Sequence, residues 1–156
     1  MSMRGFVRAA LTRRVMAVAA LSGAALLAAC GPPQPQPLRA WSESYEFRVT
    51  MDPTPPHARE PIIFHIVVLD RKTREFVPNG EGQLFATSQD RVNKYDSFTP
   101  AQEPGSYTAR LNFITAGDWN VNLRFRRDSV HALEKPENDW VQTVRGARAI
   151  GERPIQ

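Results

Sequence analysis

The chain is predicted to be all-β: an antiparallel β-sandwich of about seven short strands, set behind an export signal and a proline-rich tether. Three observations predict it. Between Tyr45 and Arg126, apolar and polar residues alternate with period two in run after run. No stretch after Cys30 repeats apolar residues at the spacing of an amphipathic helix. Thirteen prolines and nine glycines punctuate 156 residues, so the runs stay short.

Residues 1–29 have the parts of a secretory signal. Arg4, Arg8, Arg13 and Arg14 make a basic start without an acid, and Val15 to Leu27 is apolar apart from Ser22 and Gly23. That run is too short to span a bilayer as a helix. Thr12-Arg13-Arg14-Val15-Met16 admits either of two export routes, twin-arginine or general secretory. Ala28 and Ala29 lead into Cys30, the only cysteine, with Gly31 after it. Leu27-Ala28-Ala29-Cys30 resembles the lipobox of bacterial lipoproteins at every position. The resemblance implies cleavage before Cys30 and acylation of that residue, palmitate-type chains holding the protein in the cell envelope at about 0.8 kcal/mol per buried CH2. It also implies an exported protein on the periplasmic face of the outer or inner membrane, where the cell has two.

The tether is assigned to residues 30–42. Gly31-Pro32-Pro33-Gln34-Pro35-Gln36-Pro37 lacks donors and holds each residue before a proline extended, so it reads as a polyproline-II spacer. Removing the signal also changes the charge. The whole chain has 20 Lys+Arg against 16 Asp+Glu, and the four arginines of the signal carry the whole excess. The mature protein is near neutral, which removes the electrostatic case for nucleic-acid binding. With Cys30 acylated no thiol is left for a disulfide, a nucleophile or a metal.

Residues 43–127 are assigned to the sandwich. Tyr45, Phe47, Val49 and Met51 alternate with Glu46, Arg48 and Thr50 as a half-buried strand, ended by Pro53, Pro55 and Pro56. Ile62 to Asp70 is β-branched and apolar on both faces and reads as the central strand. A short strand is expected at Glu75-Phe76-Val77, another from Gln83 to Ser88, and a strand and loop within Phe98 to Pro104. Gly105 to Arg126 reads as a hairpin. Its apolar sets, Tyr107 to Phe113 and Trp119 to Phe125, are expected to share one face around a turn at Thr115-Ala116-Gly117-Asp118. Residues 128–156 are assigned to a C-terminal extension with one edge strand or docked segment, Trp140 to Val144, and a loose tail from Gly146.

The stretch from Tyr45 to Phe125 resembles the YtkA-like and FixH-like domains, small exported bacterial sandwiches of immunoglobulin-like type. The residues that carry the likeness are the aromatic first strand, the apolar strand closing on Asp70, Val77, Gly105-x-Tyr107 and Gly117-x-Trp119. The resemblance implies an envelope accessory domain, in some members tied to metal or oxidase assembly. The methionines that the family often carries in its middle loops have no counterpart between Arg91 and Pro100.

Three chemistries compete. Copper carriage would use thioether and imidazole ligands, for which the candidates are Met51, His57 and His65; none is spaced as a local pair. Hydrolytic motifs and phosphate loops are missing from the sequence. Asp90 and Asp96 flank a loop whose Arg91 and Lys94 neutralise them, so a solvated loop is expected rather than an acid–base pair. A protein partner would be met by Arg110, Arg124, Arg126 and Arg127, expected in a row on the polar face of the hairpin. The sequence reading is therefore a non-enzymatic, lipid-anchored binding or assembly module, an accessory subunit with a protein partner in the envelope. The alternative is a periplasmic copper carrier.

Overall fold

The computed structural model describes residues 36–149. Nine strands form in chain order: β1 (Leu38–Trp41), β2 (Tyr45–Asp52), β3 (Pro61–Asp70), β4 (Glu81–Ser88), β5 (Asn93–Ser97), β6 (Thr99–Pro100), β7 (Ser106–Asn112), β8 (Gly117–Arg126) and β9 (Trp140–Val144). They make two antiparallel sheets, ordered β1-β2-β3-β7-β6 and β5-β4-β8-β9. Strands β2, β3, β7 and β6 stand in the order of A, B, E and D of an immunoglobulin-type sandwich. Strands β4, β8 and β9 follow C, F and G, with β5 at the C′ edge. The expected fold class is observed.

The alternation gives the core directly. Tyr45, Phe47 and Val49 of β2, Phe64 and Ile66 of β3, Tyr107 and Leu111 of β7, and Trp119, Leu123 and Phe125 of β8 are all buried. Phe125 meets Tyr45 edge-on at 5.0 Å and Tyr107 at 5.5 Å, while Phe113 and Trp119 pack at 5.0 Å. Tyr107 also fixes the loop between β3 and β4. Its hydroxyl donates to the Val77 carbonyl at 2.6 Å and accepts from the Gly80 amide at 2.8 Å, and burial pushes its pKa up. Gly82 is a close approach: a Cβ there would stand 2.4 Å from the Phe98 ring.

Several sequence expectations are corrected. β7 and β8 are not a hydrogen-bonded hairpin. β7 pairs with β3 and β6, and β8 pairs with β4 and β9, so the chain crosses between sheets after Phe113. Their apolar sets face each other across the core instead of sharing one sheet surface. Alternation marks which side chains point inward, and both arrangements satisfy it. The Leu38–Trp41 stretch, read as tether, pairs with β2 as an edge strand. Glu75 to Val77 is not a strand: it makes a single bridge between Phe76 and Leu69. The Asp90–Asp96 loop is half strand, because Asn93–Ser97 pairs with β4. β9 belongs to the second sheet. Arg145 exchanges backbone bonds with Pro56 and Ala58 at 2.9 Å, and within the tail expected from Gly146, Arg148 meets Glu60 at 3.3 Å. Cys30, the signal and the last seven residues lie outside the described residues.

Candidate functional site

The two sheets turn very different outer faces to their surroundings. On the first sheet Glu46 points outward yet has a side chain only 1% exposed. Arg48 reaches one carboxylate oxygen at 2.9 Å and Arg74 pairs with the other. Burial pushes the Glu46 carboxyl up, but the hydrogen bonds from Arg48 and Arg74 outweigh it and hold the pKa below the usual carboxylate range. Nearby, Asp70 accepts from the Thr73 and Lys72 amides and then from Arg127 at 2.7 Å, and all three lower its pKa. Glu134 accepts from the Ser42 hydroxyl at 2.7 Å and the Ser44 amide at 2.9 Å. Those bonds override burial and lower it too. Every one of these carboxylates is engaged by donors from other segments, which is how charges hold loops in place.

The second sheet is open. Phe85 of β4 and Tyr95 of β5 are ladder partners, outward and 6.3 Å apart, and Tyr95 is 69% exposed. Arg124 of β8 lies 5.3 Å over the Phe85 ring. Asn122 sits opposite Phe85, Gln83 opposite Arg124, and Val141 of β9, 60% exposed, opposite Asn120. The cluster is aromatic and cationic. It offers stacking surface, a forked donor and amide groups, and among the described residues no acid forms an ion pair with Arg124. Sequence reasoning named Arg124 but missed Phe85 and Tyr95. Tyr95 lies in a stretch whose charges read as a solvated loop, and only the β4–β5 pairing puts its ring beside Phe85.

The arginine row dissolves with the hairpin. Arg110, opposite Ile63 on β7, points out from the first sheet, whereas Arg124 and Arg126 point out from the second. Arg126 is held by Glu81 at 2.6 Å, and Arg127 by Asp70. Arg127 also lies 5.9 Å over the Tyr45 ring and takes the Tyr45 hydroxyl as acceptor for its amide at 3.2 Å; Tyr45 and then Asp70 raise its pKa. Asp96, one of the paired acids, is used structurally, accepting from the free Arg110 amide at 2.7 Å beyond the short β6.

The copper candidates do not converge either. Met51 is the ladder partner of Phe64 and packs inward, while His65 is the partner of Thr50 and Thr108 and points outward. One ion cannot take both, because successive positions of a strand face opposite ways. His57 lies in the β2–β3 loop with Nδ1 3.1 Å from the Pro55 carbonyl and 3.3 Å from Arg148. Among the described residues, no group of three or more His, Cys, Asp or Glu side chains is placed to hold a metal ion.

No protein-family model matches the chain, and no curated protein matches it. Two solved structures resemble it in shape. One is a copper-bound variant of FetP from uropathogenic Escherichia coli strain F11, at 13% identity and a TM-score of 0.48, covering 77% of this chain and 97% of that one. The other is as-isolated FetP from the same strain, expressed in the periplasm, at 13% identity and a TM-score of 0.49 over 76% and 100%. At that distance the likeness carries no inference about this chain.

Proposed function

We propose that this chain is a non-enzymatic binding module, lipid-anchored at the cell envelope, acting as an accessory or assembly subunit of a membrane-associated complex. One observation carries the reading: the open Phe85–Tyr95–Arg124 cluster on the second sheet, beside a first sheet whose buried Glu46 is taken by Arg48 and Arg74 of the same chain. Tyrosine and arginine are enriched at the energetic centres of protein interfaces, because a ring is large and rigid and a guanidinium makes forked hydrogen bonds. The Leu27-Ala28-Ala29-Cys30 stretch supports the anchor, and the resemblance to YtkA-like and FixH-like domains supports the accessory role.

The test is capture of the full chain from its own membranes in mild detergent, with Tyr95→Ala run in parallel and metal measured on both eluates. Stoichiometric membrane subunits with the wild-type chain, lost with Tyr95→Ala, support the module. Equal recovery with both variants would move the site elsewhere. Copper carriage is the second reading, favoured by the YtkA-like resemblance and by the half-buried His57, whose Nδ1 is already engaged. It requires one copper per chain in that eluate, lost in His57→Ala.

A further inference from the structure

The outward positions of the first sheet carry a conflict of charge. Arg39 of β1 and Arg48 of β2 are ladder partners, so two cations stand directly across from each other. Side chains at such positions start about 5 Å apart, and like charges there weaken the pairing. Arg48 gives its Nε to Glu46, which Arg74 shares. Arg39 is exposed and, among the described residues, meets no acid. Arg110 also faces out, from β7, and Asp52 at the far end of β2 is the other acid at an outward ladder position. Trp41 is outward two residues after Arg39, opposite Glu46, and 41% exposed. Cys30 lies eight positions before Leu38, the first residue of β1. Even fully extended, that stretch spans less than about 30 Å.

We propose that the outer face of β1 and β2 rests on the anionic phospholipid headgroups of the membrane that holds the chain. This placement rests on acylation of Cys30, and adds to it which side of the sandwich turns to the lipid. A lipid phosphate lying across Arg39 and Arg48 removes the like-charge conflict, and the guanidinium fork suits phosphate oxygens. The Trp41 ring enters the headgroup zone, where its apolar body is buried and its N–H keeps a wet partner. An acidic protein would match the charge equally, and the tether decides between them. The short span from Cys30 keeps β1 beside the bilayer at all times, at a high effective concentration of headgroups. The Phe85–Tyr95–Arg124 cluster, on the opposite sheet, is left facing away from the lipid and clear for a protein partner.

The test uses the chain purified from its own membranes and reconstituted with vesicles of phosphatidylcholine, with or without phosphatidylglycerol. Flotation reads the anchor, and quenching of tryptophan emission by brominated lipid reads the face. Flotation with both vesicles is expected, and quenching on the anionic ones that disappears in Trp41→Phe and weakens in high salt. Arg39→Ala should lower the ratio of docked to undocked chain about fivefold, the share of one basic residue near an anionic surface. Trp119 is buried, so its unchanged emission shows each variant folded. Flotation without quenching overturns the proposal and leaves the anchor standing. Quenching that survives Trp41→Phe, or that is equal on neutral vesicles and indifferent to Arg39→Ala, overturns it as well. Flotation with the anionic vesicles alone, with quenching that needs Trp41 and Arg39, supports the face and overturns the anchor. Flotation with neither overturns both.

Discussion

The outer faces of the two sheets are built from the same alternation and do opposite things. Outward positions of β2 carry Glu46 and Arg48, and those of β4 and β8 carry Phe85, Asn122 and Arg124. On the first sheet, two acids are matched: Glu46 with Arg48 and Arg74, Asp70 with Arg127. On the second, an aromatic pair and a cation stand uncovered. A charged residue near a sheet is thus no guide to binding by itself. What separates the faces is whether another segment of the same chain has already satisfied it.

The sharpest way to break this contrast is to remove the buried charge. Glu46→Gln keeps the shape but replaces charge-assisted hydrogen bonds with neutral ones, and should cost about 1.5–3 kcal/mol in urea unfolding. Tyr95→Ala should shift the same transition by less than about 1 kcal/mol, because its ring is mostly in water. If the two costs came out equal, the first face would not be the structural one.

Acid should find the same asymmetry. Glu46, Asp70 and Glu134 all have folded pKa values below their ordinary ones. Each therefore contributes stability that is fully present above its unfolded pKa and is lost as pH falls toward the folded value. Unfolding measured from pH 7 downward should show a flat plateau, then a decline that begins in the ordinary carboxylate range near pH 4–5. In Glu46→Gln the decline should be shallower by one proton's share. An identical slope would mean that the Arg48 and Arg74 contacts do not persist in solution.

How far the sequence carries depends on what each feature is made of. Period two is local, so the inward residues of β2, β7 and β8 were legible, as was the sandwich; β3 reads as apolar on both faces, and only the structure shows Ile63 and His65 turned outward. Which strand lies beside which is not local. Tyr107 to Phe113 and Trp119 to Phe125 read as one hairpin because facing sheets and paired strands leave the same imprint. That single ambiguity placed Arg110 beside Arg124, and the structure puts them on opposite outer faces. Tyr95 was hidden for a related reason: Asp90, Arg91, Lys94 and Asp96 look solvated. Yet Lys94 and Asp96 are half-buried on an edge strand, where inward-leaning charges protect the edge from further pairing. Leu38–Trp41 was masked by the prolines before it.

Arginine substitutions give the smallest effects and the finest discrimination. A row of four would predict similar losses of partner capture from Arg110, Arg124, Arg126 and Arg127. The structure predicts one large loss. Arg124→Ala should reduce capture about tenfold, as an interface centre does when truncated, with a stability change under about 1 kcal/mol from the lost contact with Phe85. Arg110→Ala, on the other face, should leave capture unchanged. Arg126→Ala breaks only a surface pair with Glu81, worth about 0–1 kcal/mol, and should lower capture less than twofold. A tenfold loss there would extend the contact down β8 toward Glu81. A tenfold loss in Arg110→Ala would instead relocate the partner to the first sheet, where Ile63, 38% exposed and its ladder neighbour, would become the apolar centre to test next.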